Sequence, residues 1–151
     1  MILSAIADSN NHVAKEHKDN LKLELVHKED IFITADKGRI NQVISNLLCN
    51  AIKFTKEGTV SITAAAVPNK NEIVVSITDT GPGIDSKILP KLFTKFATKS
   101  TTGTGFGLFI SKSIIEAHGG KIWGKNNYLE GKGATFGFNL PLHNENPLES
   151  V

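Results

Sequence analysis

Ile40, Val43, Ile44, Leu47, Leu48 and Ala51 recur at helical spacing, so residues 40–55 form a helix with one apolar, packed face. Asn46, Asn50 and Lys53 follow one another by steps of four and three, which puts them in a narrow arc of the same helix. Asn weakens a helix interior because its side chain competes for backbone hydrogen bonds, so two of them in mid-helix call for a cause. Either the arc is a solvated edge, or two carboxamides and an ammonium gather there around a hydrated cation and a polyanion.

The chain has 151 residues, enough for one domain with a real core. Seventeen basic and 15 acidic residues leave a net charge of +2, too balanced to argue for nucleic acid or for direct membrane contact. One cysteine, Cys49, excludes an internal disulfide framework, and its place beside apolar helix residues suggests inert packing. No apolar run is long enough to span a bilayer, and the first residues lack the pattern of a signal peptide.

Residues 2–18 carry Ile2, Ile6, Val13 and His17 at roughly helical offsets, a weakly patterned first helix. Leu21, Leu23 and Leu25 alternate with charged residues in a half-buried strand, and Ile31, Phe32 and Ile33 suggest a short second one. Asp36 suits the N-cap of the Asn-bearing helix. Beyond the turn at Gly58, Val60, Ile62, Ala64 and Ala66 form a strand, followed by a hairpin-type loop at 68–71. Ile73, Val75 and Ile77 alternate in the next strand, and Asp79 falls on their apolar face. A carboxylate there is costly unless paired, so it is either a structural cap or a buried acceptor for a missing donor.

Gly81 and Gly83 flank Pro82 in a tight turn with a bare backbone that another group can approach. Phe93 and Phe96 share one side of a short helix and read as core packing, and the small polar residues 97–102 predict a mobile loop. Gly103, Gly105 and Gly107 lead into a helix through Ile110, Ile114, Ile115 and Ala117, with Gly119 as its stop. Free N–H groups at that helix start suit phosphate. The spacing is neither that of a P-loop nor that of the Rossmann fingerprint. A strand begins near Ile122, 128–133 is a loop, Ala134 to Leu140 alternate in a last strand, and 143–151 is a polar tail after a domain covering 1–142.

Asn46-x3-Asn50-x2-Lys53, Asp79-x-Gly81-x-Gly83-Ile84, Phe93-x2-Phe96 and Gly103-x-Gly105-x-Gly107-Leu108 stand in the order of four sequence boxes. In that order they resemble the ATP-binding domain of sensor histidine kinases, in the GHKL superfamily with type II topoisomerases, the heat-shock chaperone ATPase and mismatch-repair ATPases. Residues 133–136 resemble the family's closing strand motif. The resemblance implies an α/β two-layer sandwich (α+β): a mixed, mostly antiparallel sheet covered on one face by about three helices, with a mobile ATP lid. It implies ATP and Mg2+ as cofactors. Asp79 would accept from the adenine amino group, Gly81, Gly83 and Ile84 would close over the purine, and Thr135 would support the carboxylate. Asn50 would hold Mg2+ with Asn46 beside it, and Lys53 would neutralise phosphate. Phe96, Lys99, Gly103, Thr104, Gly105, Gly107 and Leu108 would belong to the lid and its phosphate contacts. Asn46 and Lys53 are the residues the resemblance places at the transfer chemistry.

The hydrolysing members carry a Glu where this chain has Asn46, which cannot act as a general base. The resemblance therefore favours transfer to a histidine over autonomous ATP hydrolysis. The family's phosphoacceptor segment is not in the chain, so its partners would be a separate dimerising helical domain and a response regulator receiver domain, with a cytoplasmic location even where the parent protein is membrane-anchored. Phe106 stands where Leu is usual, and Thr98, followed by Lys99, where many kinases carry Arg. Two other functions use the same boxes: a serine kinase of the anti-sigma type, and a nucleotide-binding regulatory module without transferase activity.

Overall fold

A computed structural model describes residues 21–27, 33–55, 57–95, 106–127 and 132–142. The strands are β1 (Leu21–His27), β2 (Gly58–Val67), β3 (Glu72–Asp79), β4 (Ile122–Asn126) and β5 (Ala134–Pro141). They form one five-stranded sheet in the order β1-β2-β3-β5-β4. β1 and β2 run parallel, with Leu23 opposite Val60. All the other pairs are antiparallel. A parallel pair cannot be closed by a tight hairpin. Its connection here contains helix α1 (Lys37–Phe54), and helix α2 (Gly107–Ala117) lies between β3 and β4 in the chain. The sheet is thus mixed and mostly antiparallel, as expected. Two α-helices, not three, stand among the described residues; the weak helix expected over 2–18 lies outside them.

The apolar stripe of α1 is buried at all six expected positions, Ile40, Val43, Ile44, Leu47, Leu48 and Ala51. They join one core with Ile62, Ile77 and Phe136, which lie side by side across β2, β3 and β5. Asp36 caps α1, its Oδ1 accepting from the Arg39 N–H at 3.1 Å. Replacing that acceptor leaves an orphan donor at the helix start. Asp36→Ala should therefore lower stability by about 1 kcal/mol, read from the urea midpoint at unchanged slope. The Asp36 N–H donates in turn to His118 Nε2 at 3.2 Å, while His118 Nδ1 lies 2.8 Å from the Ile114 carbonyl at the end of α2. The ring is therefore the neutral Nδ1–H tautomer, joining the start of one helix to the end of the other.

β3 shows the strict alternation its sequence implies, with Ile73, Val75, Ile77 and Asp79 all buried. β5 does not alternate: its first five residues are all buried. The cause lies on the other face, where a side chain on Gly137 would fall 2.7 Å from the Trp123 ring. Trp123 thus covers β5 on the side away from the helices.

Three local expectations are corrected. Ile33 is buried but lies in no strand, and Ile31 and Phe32 are outside the described residues. Residues 92–95 form turns after a short 3-10 helix, Leu89–Lys91, which contains Pro90. Phe93 still packs on the core from this turn, whereas Phe96 is outside the described residues. Cys49 is exposed, because it sits diametrically opposite the buried stripe of α1. Among the described residues, no helix is long and apolar enough to cross a membrane.

Candidate functional site

The end of β3 delivers Asp79 into the protein interior, where it is 5% exposed. The donors that the sequence left unassigned are two backbone groups. Asp79 Oδ1 accepts from the Gly81 N–H at 2.9 Å and from the Ala134 N–H at 3.2 Å. Its Oδ2 receives no hydrogen bond from a described residue, so one carboxylate oxygen is fixed and the other is open to a ligand. Burial raises this carboxyl above its ordinary value, and the two N–H groups oppose that rise.

The turn after Asp79 is pressed against the end of α1. A Cβ on Gly81 would stand 2.9 Å from Thr55 Oγ1, 3.1 Å from the Phe54 carbonyl and 3.2 Å from Asp79 Oδ1, so a side chain there would push these atoms apart. Gly83 has φ 87°, a left-handed conformation, and next to it Ile84 is clamped by one amide side chain. Asn126 Oδ1 accepts from the Ile84 N–H at 2.6 Å, and Asn126 Nδ2 donates to the Ile84 carbonyl at 3.0 Å.

Thr135 stands apart from the carboxylate. It pairs with Thr78 in the sheet register, on the face opposite that of Asp79. Its hydroxyl donates to Asn127 Oδ1 at 2.7 Å and lies 3.1 Å from Thr78 Oγ1. Asn127 Nδ2 then reaches the Asp79 backbone carbonyl at 3.4 Å. Thr135 thus braces the strand end through Asn127, while the carboxylate itself is held by the backbone of Ala134.

At the other end of the site, Asn46 Nδ2 donates to the Gly107 carbonyl at 3.3 Å and to Ser111 Oγ at 3.2 Å. Ser111, fully buried, donates to the same carbonyl at 2.8 Å. Because the Gly107 carbonyl can only accept, the orientation of the Asn46 amide is chemically determined. Among the described residues, no side chain caps the start of α2. The first N–H groups of a helix have no partner within the helix, so this end suits an anion. Leu108, in its first turn, packs partly on the core.

Asn50 and the exposed Lys53 lie between these two ends of the site, on the arc of α1 begun by Asn46. From Asn46 to Thr55 the helix rises about 13 Å at ~1.5 Å per residue. The Asn50 side chain makes no hydrogen bond to a described residue, which fits a metal-ligand role. Among the described residues no three His, Cys, Asp or Glu side chains cluster as a metal site. A cation here would be bound by amide and ligand oxygens, as suits a hydrated Mg2+. Phe96, Lys99, Gly103, Thr104 and Gly105 lie outside the described residues.

Sequence reasoning missed Phe54, Thr55, Asn126, Asn127 and Ser111. Phe54 is 49% exposed, the one exposed large hydrophobic residue among those described. It stands one turn beyond Ala51, the last residue of the buried stripe, and its backbone carbonyl lies beside the turn that carries Gly81. An aromatic residue past the end of a packed stripe was the available signal.

The profile of the family described as histidine kinase-, DNA gyrase B-, and HSP90-like ATPase matches residues 35–144. The chain belongs to this family. Among its relatives, the sensor protein FixL of Bradyrhizobium diazoefficiens is 41% identical over 138 residues, 88% of this chain and 26% of that protein. The catalytic domain of histidine kinase ThkA superposes with a TM-score of 0.81 at 34% identity, covering 91% of this chain and 90% of that one. ThkA in complex with the response regulator TrrA gives 0.76 at 32% identity, covering 93% of this chain and 40% of that one. Full-length ShkA in complex with AMPPNP gives 0.82 at 29% identity, covering 93% and 30%. The chain thus has the extent of a histidine kinase catalytic domain and spans 16–26% of the length of the sensor kinases it matches.

Proposed function

We propose that this chain is the ATP-binding catalytic domain of a two-component sensor histidine kinase, and that it presents Mg-ATP to a histidine on a separate helical domain. The observation that carries this assignment is Asp79: a buried carboxylate with one oxygen held by two backbone N–H groups and the other open beside Gly81. The open oxygen accepts the adenine amino group, and the exposed Phe54 ring offers the base an aromatic face. Gly83 and Ile84 shape the turn over the purine.

The triphosphate extends along α1 toward the uncapped start of α2. There the N–H groups that begin at Gly107 and Leu108 receive phosphate oxygens, aided by the positive end of the helix dipole. By the family resemblance, Phe96, Lys99, Gly103, Thr104 and Gly105 are assigned to the same nucleotide site. Lys53 supplies a positive charge, and Asn50 gives an amide oxygen to Mg2+ with Asn46 adjacent. When bound, Mg2+ neutralises phosphate charge. The acceptor imidazole nitrogen forms a bond to the γ-phosphorus as the bond to the ADP oxygen breaks, and the imidazole proton leaves to a base on the acceptor domain. Asn46 cannot serve as a general base that activates water. Its amide is committed to Gly107 and Ser111, and a carboxylate in its place would face the Gly107 carbonyl.

The partners that follow are the phosphoacceptor domain of the same kinase and a response regulator receiver domain; ThkA with TrrA is the structural precedent. ShkA with AMPPNP is the precedent for the nucleotide. Residues 1–142 form the domain and 143–151 its tail, in a protein whose catalytic part is cytoplasmic.

Calorimetric titration of the chain with ATP should show binding that strengthens with Mg2+, with negligible turnover until an acceptor domain is added. Addition of that domain should give an acid-labile, base-stable phosphoprotein. Sustained hydrolysis without an acceptor, or binding without any transfer, would overturn the kinase assignment.

A further inference from the structure

Of the three residues that α2 buries, Ile114 and Ile115 are apolar and Ser111 is not. Ser111 is 0% exposed, and a hydroxyl so placed needs partners. It has two. Its proton goes to the Gly107 carbonyl at 2.8 Å, one turn back on its own helix. The oxygen then has only lone pairs to offer, and Asn46 Nδ2 on α1 donates to them at 3.2 Å. Asn46 Nδ2 also donates to the Gly107 carbonyl at 3.3 Å. Both amide protons are thus committed to α2, and Asn46 does not present its nitrogen to the site. It presents Oδ1, which accepts no hydrogen bond from a described residue. Nor is Oδ1 sealed from solvent: the buried side-chain oxygens without a partner among the described residues are those of Asn41 and Thr55. Asn46 and Asn50 stand about one helical turn apart, so two carboxamide oxygens share one arc of α1.

We propose that Ser111 is a positioning residue for Asn46: it holds the amide by its nitrogen and so turns Oδ1 to Mg2+ or to a water on the metal. An amide free to rotate would show the cation its N–H groups in part of the population, and those repel it. Ser111 then determines how much Mg2+ strengthens nucleotide binding, although it touches neither the metal nor the nucleotide. This deepens the metal assignment above and rests on it.

The test is titration of the full chain with ATP in Mg2+ and in chelator, together with NMR of the Asn46 side-chain amide without nucleotide. In the native chain the two Nδ2 protons should be distinct and protected from solvent exchange. Ser111→Ala should expose one of them and cut the benefit of Mg2+ to ATP binding roughly three- to fivefold, with affinity in chelator nearly unchanged. Ser111→Thr, which keeps the hydroxyl, should retain both properties. A residue that only packs α2 on α1 would weaken ATP alike with and without Mg2+. That result, an unchanged Mg2+ benefit or an unmoved Asn46 signal in Ser111→Ala, or an equal loss in Ser111→Thr, overturns the proposal. Should Ser111→Thr not fold, Ser111→Cys, whose thiol is a weaker partner, should give an intermediate Mg2+ benefit; a value no better than that of Ser111→Ala overturns the proposal as well. Asn50→Ala separates the two levels. If it leaves the Mg2+ benefit intact, the metal assignment itself fails. If it abolishes the benefit while Ser111→Ala does not lower it, only the role of Ser111 falls.

Discussion

Asp79→Asn is expected to weaken ATP binding roughly 100-fold, the upper end for loss of a hydrogen bond to a charged group, without destabilising the fold at pH 7. The geometry makes the amide a poor substitute. The N–H groups of Gly81 and Ala134 both need an acceptor, so they select the rotamer in which the Asn oxygen faces them. The amide nitrogen is then turned to the open position, where donor meets donor. Calorimetry at pH 7 reads the loss, and affinity within threefold of the native chain would show that the carboxylate does not hold the base.

Stability should move the other way. Burial raises the Asp79 carboxyl above its ordinary value, so the folded chain holds this proton more tightly than the unfolded chain does. The fold therefore gains stability as pH falls through the raised value, and the ionised carboxylate costs stability at neutral pH. Asn removes that cost, so the variant's thermal midpoint at pH 7 should equal or exceed the native one, with the gap closing in acid. ATP affinity of the native chain should fall as pH drops through the same raised value, because the protonated carboxyl loses its charged acceptor. A melting temperature clearly below the native one at pH 7 would contradict this account.

Asn50→Ala is expected to remove the benefit of Mg2+ to ATP binding, an effect of about tenfold, and to lower phosphotransfer to a supplied acceptor domain by at least about 100-fold. Affinity in the presence of a chelator should change less than twofold. The side chain holds no hydrogen bond to a described residue, and Ala is the better helix former, so the helix itself should not suffer. Parallel titrations with Mg2+ and with chelator make the comparison; an equal loss in both would remove Asn50 from the metal. Asn46→Ala should behave differently, because it cuts the link between α1 and the start of α2 and should lower stability as well.

The parts of this protein that were legible in the sequence are those governed by local periodicity. The helical stripe of α1 and the alternation of β3 give burial directly, and the second placed Asp79 inside before its partners were known. Cys49 was misjudged because a neighbour in sequence is not a neighbour on a helix: Leu48 faces the core and Cys49 faces away. Thr135 required the pairing of β5 with β3, which sequence alternation within β5 does not reveal, since Trp123 buries its second face. Asn126 and Asn127 look like ordinary strand-end amides until the sheet brings them beside residues more than 40 positions away, at Ile84 and Asp79. Likewise, no local pattern links Asp36 to His118.

The Asn46 amide joins the helix that carries Asn50 to the carbonyl of Gly107, where the glycine-rich segment enters α2. The groups proposed to hold the metal and the phosphate thus share one mechanical link, and any linkage between them would be reciprocal. If Mg2+ at one end improves phosphate capture at the other by some factor, phosphate must improve Mg2+ capture by the same factor. Under the proposed assignment, a nucleotide without its γ-phosphate would loosen the metal as it loosens its own hold, so that release of ADP and of its cation would be coupled.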